Sequence, residues 1–236
     1  MNRRRVLTIY VVLLHLALAL LLWKPETISR ARSALLGTPD PGATWYEQAL
    51  VQFQLRADAN LGAGAALFFG DSHVQGLCTA CIGEGAANYG IGGDTAFGIL
   101  NRIKHYRSIA HAHAVVLAAG YNDLKKGTVA DVAATYDALL REVPASVPLV
   151  LSALFPVDPL SANSGGVTNT MIRELNGHIS AACRHRRGCI FVDTAAKLVG
   201  PDGGLRRELH VGDGVHLNPG AYAIWIADLR AALAKL

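Results

Sequence analysis

Short runs of consecutive apolar residues alternate with longer amphipathic stretches over most of this chain. Apolar runs bounded by glycine or polar residues are typical of parallel strands that are buried on both faces of a sheet. Five such runs are present, of which the second is the weakest: residues 65–69, 88–91, 114–119, 148–154 and 189–192. The pattern therefore predicts five buried strands.

The stretches before, between and after these runs have helical character. Helices are predicted over residues 44–60, 94–108, 128–143, 168–187 and 219–236. Thr128 or Asp131 can cap the third helix, and Asn218 followed by Pro219 marks the start of the last one. Because strands alternate with helices, the sequence predicts an α/β fold in which a five-stranded parallel sheet has helices on both faces.

The first 23 residues differ in kind from the rest. Three arginines at residues 3–5 precede an uncharged apolar run over residues 6–23, in which Thr8 and His15 are the clear polar breaks. As a helix with about 1.5 Å per residue, this run reaches about 27 Å, which suffices for a thin or locally adapted bilayer. The arginines favour an N-terminus on the inside. We therefore predict a signal-anchor, or transmembrane, helix over residues 1–23.

Two other interpretations of this segment stay open. A cleaved signal peptide is one, although no clean cleavage site of small residues follows the apolar run. A buried helix of a soluble protein is the other, and it explains the arginines poorly. The anchor and the signal peptide both export the rest of the chain. The proline-containing residues 24–43 are then a linker, and residues 44–236 are the exported domain, periplasmic or extracellular.

Composition and charge narrow the class of protein. The chain has 236 residues, of which 51% are hydrophobic and 17% are charged, so intrinsic disorder is not expected. The net charge of +4 comes from scattered basic residues, and no Lys/Arg run is interleaved with aromatic residues. A nucleic-acid partner is therefore not expected either.

Four cysteines, Cys78, Cys81, Cys183 and Cys189, fit an exported domain. They allow three connectivities, of which the local pairs Cys78–Cys81 and Cys183–Cys189 need the least rearrangement of the chain. A redox role for the Cys-Thr-Ala-Cys segment requires a small redox fold, and a zinc site requires two finger-like pairs. The surrounding sequence offers neither, so we favour the local disulfides.

Polar, glycine-containing segments follow the predicted strands. They are GDS at residues 70–72, GIGGDT at 90–95, GYND at 120–123 and, before the last helix, GDGVH at 212–216. In open parallel sheets, functional groups collect beyond the carboxyl ends of the strands. A serine, a glycine-rich loop, an asparagine, an aspartate and a histidine are the parts of an acyl-transfer site.

The chemistry of acyl transfer assigns a role to each part. Ser72 is the candidate nucleophile, which needs a base, and His216 is the candidate base. Asp213, three residues earlier, can hold the other nitrogen of its imidazole. The N–H groups of Ser72 and Gly93 and the side-chain amide of Asn122 are candidate donors to an oxyanion.

Each segment alone has an ordinary interpretation. GDS can be a helix cap, GIGGDT a tight turn or a phosphate loop, and GYND an Asx turn. Asp213 and His216 can be a capping arrangement or half of a metal site. The occurrence of all four segments in order at the predicted strand ends favours catalysis.

These segments resemble the motif blocks of the SGNH (GDSL) hydrolase superfamily. The residues that match are Ser72, Gly93, Asn122, Asp213 and His216. NYGIGGDT and DGVHLNPGAY look most like the platelet-activating-factor acetylhydrolase-like branch. The resemblance covers residues 44–236 and implies a flavodoxin-like three-layer α/β/α fold. It also implies ester hydrolysis through an acyl-enzyme, without a metal or another cofactor.

His73 departs from the superfamily, whose usual residue after GDS is leucine. Its side chain leaves the backbone in a different direction from that of its neighbour Ser72, so we expect packing or a substrate contact rather than a role as base. His210 is a second histidine near the motif, but it lacks the Asp-x-x-His arrangement.

The resemblance leads us to expect an exported, membrane-anchored serine esterase that acts on small acyl esters, above all acetyl esters, of a small molecule, glycan or lipid. An acyltransferase of an envelope polysaccharide could use the same triad. A non-catalytic carbohydrate-binding module is a third alternative, but it predicts a degraded triad. Residues 155–166 are expected to be a polar, flexible loop that shapes the substrate entrance.

Overall fold

The computed structural model describes residues 45–236 and, nearer the N-terminus, Arg3, Arg5, Thr8, residues 10–12, Leu14 and His15. These N-terminal residues are helical, but most of the predicted helix over 1–23 and the whole predicted linker over 24–43 lie outside the described residues. None of the helices in the described part is long and apolar enough to span a bilayer. The anchor and the linker therefore stay predictions.

Contacts between residues divide the chain into two units, Met1–Leu50 and Val51–Leu236. The second unit contains a sheet of five parallel strands in the order β2-β1-β3-β4-β5. The strands are β1 (Ala66–Gly70), β2 (Ala87–Gly90), β3 (Ala114–Ala118), β4 (Leu149–Ser152) and β5 (Cys189–Val192). Each strand falls on one of the five apolar runs, so the predicted parallel sheet is confirmed.

Long and short helices precede, connect and follow these strands. They are α1 (Trp45–Asp58), α2 (Ser72–Gln75), α3 (Ala96–Ile103), α4 (Tyr121–Leu124), α5 (Val129–Glu142), α6 (Asn169–Arg184), α7 (Ala195–Leu198) and α8 (Pro219–Leu233). Thr128 and Asp131 form a capping box at α5, and the side chain of Asn218 caps α8 by accepting a hydrogen bond from the N–H of Ala221. These two helices therefore begin where their caps predicted.

One predicted helix is shorter than expected. The pattern predicted a helix over residues 94–108, but α3 ends at Ile103 and a 3₁₀ turn follows over Arg107–His111. The carboxylate of the buried Asp58 accepts the backbone N–H groups of Arg107 and Ser108. These two N–H groups therefore bond to Asp58 instead of to carbonyl groups one helical turn earlier.

The sheet has a hydrophobic core on each face. Leu67 and Phe69 of β1 lie in one core, together with residues of α3, α5 and α6. Phe68 of β1 lies in the other core, where Trp225 of α8 and Leu198 of α7 pack. Because side chains alternate along a strand, each central strand contributes to both cores. The arrangement is the predicted three-layer α/β/α fold.

Both local disulfides are present. Cys78 bonds to Cys81 just after α2, and Cys183 bonds to Cys189, which joins the end of α6 to the start of β5. The connectivity that we favoured is thus confirmed.

Candidate active site

The candidate nucleophile begins a short helix directly after a central strand. β1 ends at Gly70, and α2 begins at Ser72. The side chain of Asp71 caps α2, because its Oδ1 accepts a hydrogen bond from the backbone N–H of His73 at 3.0 Å. A Cβ on Gly70 would lie 2.2 Å from Val74 Cγ2 and 2.3 Å from the carbonyl oxygen of Ala118, so this tight turn requires glycine. The turn places Ser72 at the carboxyl edge of the sheet.

Ser72, His216 and Asp213 form one continuous chain of hydrogen bonds. Ser72 Oγ lies 3.0 Å from His216 Nε2, although 144 residues separate them in the sequence. His216 Nδ1 lies 2.5 Å from Asp213 Oδ2. The structure therefore brings together the three residues that the sequence predicted as nucleophile, base and orienting carboxylate.

The surroundings of Asp213 keep its carboxyl group ionised. Burial alone would raise its pKa, but the His216 imidazole and the backbone N–H groups of Val215 and His216 lower the pKa to about 2. Both N–H groups lie 2.9 Å from Asp213 Oδ1. An ionised carboxylate only accepts hydrogen bonds, so Nδ1 of His216 carries the proton. In a neutral imidazole, Nε2 is then free to accept a proton from Ser72.

The glycine-rich loop after β2 lies beside Ser72. A Cβ on Gly92 would be 4.0 Å from the Cβ of Ser72, and the N–H of Gly92 donates to Gln75 Oε1 at 2.7 Å. Gly93 follows with a positive φ of 83°. Asn122 Nδ2 donates to the carbonyl oxygen of Asp94 at 2.9 Å. The structure thus brings Gly93 and Asn122 into one loop cluster next to the serine.

Two aspartates that the sequence left without a role hold this loop cluster together. Asp123 follows Asn122, and its carboxylate accepts the N–H of Ala96 at 2.8 Å, at the start of α3. Burial raises the pKa of Asp123. Asp94 pairs with the buried guanidinium of Arg102 at 2.9 Å. Their positions in GYND and GIGGDT were visible in the sequence, but their partners on α3 were not.

A comparison with known families identifies the chain. The model of the GDSL-like lipase/acylhydrolase family matches residues 68–224, well over half of the chain. The chain belongs to this family. The predicted superfamily and the predicted enzyme class, a carboxylic-ester hydrolase, are therefore confirmed. No curated protein matches the chain.

Solved structures share the fold of this acylhydrolase at low sequence identity. A Streptococcus pneumonia protein named for platelet activating factor has a TM-score of 0.72 and 19% identity, over 92% of this chain and 99% of its own. A GDSL-like lipase from Bacteroides thetaiotaomicron has a TM-score of 0.68 and 20% identity, over 78% and 97%. An acetylxylan esterase from Geobacillus stearothermophilus, solved as a catalytic mutant, has a TM-score of 0.56 and 19% identity, over 72% and 94%.

The loop that contains Asp213 and His216 is held by residues that sequence reasoning missed in this acylhydrolase. Ser161 Oγ donates to the carbonyl oxygen of Asp213 at 2.6 Å, and Asn163 Nδ2 donates to the same oxygen at 3.2 Å. The N–H of Asp158 donates to the carbonyl oxygen of Gly214 at 2.8 Å. These residues belong to the segment that we expected to shape the substrate entrance. The structure gives part of it a second role, which is to support the loop.

His210, which directly precedes this loop in the chain, also supports it. Its Nδ1 accepts the N–H groups of Gly212 at 2.9 Å and Gly214 at 3.0 Å. An imidazole nitrogen that accepts two hydrogen bonds carries no proton, so the proton of neutral His210 lies on Nε2. The sequence interpretation, based on the missing Asp-x-x-His arrangement, had assigned this histidine no part in the site.

His73 lies behind His216 and not beside the hydroxyl of Ser72. Its Nε2 lies 3.1 Å from the carbonyl oxygen of Val215, and its Nδ1 lies 3.4 Å from Asp71 Oδ1. Burial lowers its pKa, but the Asp71 carboxylate outweighs this effect, and the pKa of His73 is raised. Of the two histidines, it is His216 that is within hydrogen-bond distance of Ser72 Oγ.

A small cavity lies next to the turn that holds Ser72. Its volume is about 20 Å³, and its lining includes Asp71, His73, Tyr121, Phe155 and Val215. A cavity of this size has room for about one water molecule.

Proposed function

We propose that this acylhydrolase cleaves small acyl esters, above all acetyl esters, through a Ser72–His216–Asp213 triad and an acyl-enzyme. The unbroken chain of hydrogen bonds from Ser72 Oγ to Asp213 Oδ2 is the observation that supports this proposal most directly. A serine hydroxyl next to an unprotonated imidazole nitrogen, with a carboxylate on the other nitrogen, is the arrangement that activates serine as a nucleophile.

The reaction has two halves. Ser72 Oγ attacks the ester carbonyl while His216 Nε2 takes its proton, and a tetrahedral intermediate forms. As the intermediate collapses, the imidazolium gives this proton to the leaving alcohol, and the acyl group stays on Ser72. A water molecule then attacks the acyl-enzyme with His216 as base. The acid is released, and the proton returns to Ser72 Oγ.

The oxyanion of each intermediate needs donors that are in place beforehand. We assign this role to the N–H groups of Ser72 and Gly93 and to the amide of Asn122. Lys125 Nζ donates to Asn122 Oδ1 at 3.3 Å, so the nitrogen side of the amide faces the glycine-rich loop. One hydrogen of that nitrogen bonds to the carbonyl of Asp94, and the other is left for an oxyanion.

Two structural neighbours support a short acyl group. One is an acetylxylan esterase, and the other is named for platelet activating factor. Acetyl esters of a glycan or a lipid are therefore the first substrates to test.

The natural setting that we propose is the outer side of a membrane, with the N-terminal segment as anchor. The apolar run over residues 6–23 behind three arginines supports the anchor. The two disulfides support an oxidising compartment. A reporter enzyme fused after Leu236 should be active outside the cytoplasm. Activity only inside the cytoplasm would contradict export.

Hydrolysis is tested with the full-length protein and p-nitrophenyl esters of increasing acyl length. We expect the acetyl ester to give the highest kcat/KM, and mass spectrometry of a rapidly quenched reaction to find the acyl group on Ser72. Ser72→Ala should abolish both signals, whereas Ser164→Ala, a control in the loop over residues 155–166, should retain them. A Ser72→Ala variant as active as the parent would overturn the triad.

The same assay separates hydrolysis from acyl transfer. A sugar acceptor is added at increasing concentration, and the free acid and the acylated sugar are both measured. A hydrolase keeps releasing acid as its main product. An acylated sugar as the main product would instead favour the transferase, with the same acyl-enzyme.

A further inference from the structure

His73 stands where the resemblance to the SGNH superfamily predicts leucine, and it is buried, with 8% of its surface exposed. Its ring has a polar neighbour at each nitrogen. Nε2 lies 3.1 Å from the carbonyl oxygen of Val215, and Nδ1 lies 3.4 Å from Asp71 Oδ1. Because a carbonyl oxygen only accepts hydrogen bonds, Nε2 carries a proton in this contact. A leucine could not make either contact.

The carbonyl group that His73 binds belongs to the peptide between Val215 and His216. The N–H of the same peptide donates to Asp213 Oδ1 at 2.9 Å. A peptide group is planar, and hydrogen bonds at both of its ends fix its orientation. With that peptide fixed, one backbone torsion of His216 determines the direction in which its side chain leaves the chain.

The backbone of His73 is itself held in place. Its N–H donates to Asp71 Oδ1 at 3.0 Å, and its carbonyl oxygen accepts a hydrogen bond from the hydroxyl of Tyr222 at 2.9 Å. Its ring lies 5.6 Å from the ring of His216 and 5.2 Å from that of Phe155, measured between centroids. His73 is therefore a rigid neighbour of the imidazole that faces Ser72.

We propose that His73 is a positioning residue for the catalytic base, because its hydrogen bond to Val215 fixes the peptide that precedes His216. The proposal rests on the triad of the proposed function. The ring nitrogens of His73 bond to Val215 and face Asp71, and His73 acts on the reaction only through His216.

Asp71 makes this contact insensitive to the protonation state of His73. If Nδ1 gains a proton, the new N–H faces the carboxylate of Asp71, which lies 3.4 Å away. Nε2 keeps its proton in both states and continues to donate to Val215. The hydrogen bond that positions His216 is therefore retained whether His73 is neutral or charged.

The test compares two substitutions of similar size in the full-length protein, His73→Gln and His73→Met. Both new side chains are unbranched, but only glutamine presents an N–H near the position of Nε2. We expect His73→Met to lower kcat by about 10- to 100-fold, the effect of a small misplacement of the base. KM should stay within about twofold of the parent, and His73→Gln should recover most of the lost kcat.

Two kinetic results would overturn the proposal: a parental kcat in His73→Met, or equal losses in the glutamine and methionine variants at equal thermal stability. Ser72→Ala is measured in parallel. If Ser72→Ala keeps the parental activity, the triad falls and the role of His73 falls with it. If only the His73 comparison fails, the triad stands and His73 is a packing residue.

A measurement on the unmodified protein covers the case in which the methionine variant does not fold. ¹⁵N-resolved NMR of the histidine side chains reports which nitrogen of each ring carries a proton. We expect a slowly exchanging proton on Nε2 of His73 that is bonded to a carbonyl oxygen. An unprotonated Nε2 would contradict the proposal.

Discussion

Ser72 and His216 lie 3.0 Å apart, but different kinds of structure hold them there. Ser72 begins a helix at the end of a central strand, and its position depends on neighbours in the sequence: Gly70 allows the turn, and Asp71 caps the helix. His216 lies in a loop of bends over residues 211–216 that contains no helix or strand. Side chains from distant parts of the chain support this loop.

Because their supports differ, the two halves of the site, the turn that holds Ser72 and the loop that holds His216, should fail in different ways. On the serine side, the local strand, turn and helix survive when the reacting group is removed. On the histidine side, a substitution at a supporting residue such as Ser161 should displace His216.

The largest effect is expected from removing a reacting group from either half. Ser72→Ala and His216→Ala should each lower kcat about 10,000-fold or more, because nucleophile and base act as a unit. The double variant should be no less active than the single ones. Ester hydrolysis and thermal unfolding are measured for all three. Losses that multiply in the double variant would mean that the two residues act independently.

A smaller effect is expected from loosening the histidine half alone. Ser161→Ala removes the hydrogen bond to the carbonyl oxygen of Asp213 and should lower kcat about 3- to 10-fold. KM should be nearly unchanged, because the serine and the loop beside it are untouched. Ser164→Ala is the matched control in the same segment. Equal kcat values for the two variants would contradict the role of Ser161.

Because Asp213 is charged in the folded protein, it makes the stability of the fold depend on pH. Its pKa is lowered from 3.8 to about 2 in the folded protein. A carboxyl group whose pKa is lowered by folding stabilises the fold at pH values above its unfolded-state pKa. This contribution is lost as the pH falls through its folded-state pKa. The melting temperature of the parent should therefore exceed that of Asp213→Asn at pH 5, with a difference that shrinks between about pH 4 and pH 2. A constant difference down to pH 2 would refute this assignment.

The smallest effect on catalysis is expected at the disulfide between Cys183 and Cys189. It lies at the start of β5, at the edge of the sheet opposite the site. Replacing both cysteines with serine should lower the free energy of unfolding by about 2 kcal/mol, as the short closed loop implies. At temperatures below the unfolding transition, kcat should change by less than about twofold. A folded variant with a large loss of kcat would show coupling to the site that we do not expect.

Local patterns were sufficient to predict most of the fold. The apolar runs coincide with the five strands, and the caps at Thr128 and Asn218 begin α5 and α8. The four-residue helices α2, α4 and α7 were not predicted, because one turn is too short to show a helical period. The helix after residue 94 ended early because Asp58, about 50 residues away, binds the backbone that follows it.

The residues of the candidate site also fall into two groups, those that local motifs predicted and those that they did not. Ser72, Gly93, Asn122, Asp213 and His216 were predicted because each lies in a short motif after a strand or before a helix. The structure brings them to one edge of the sheet, where Ser72, His216 and Asp213 are in direct contact. The supporting residues carry no such motif. Ser161 and His210 could be recognised only once the folded chain placed them against the loop.

Local sequence was enough to predict the layers of the fold, the residues available for acyl transfer and the place of each of them along the chain. It was enough because hydrophobic periodicity, caps and tight turns depend on neighbours in the chain. Tertiary structure alone decided which groups hold the histidine loop and what lies against His73: Ser161 and Asn163 donate to the carbonyl oxygen of Asp213, and His73 contacts that of Val215. These contacts join residues that are 50 to 142 positions apart in the chain, so no local pattern shows them.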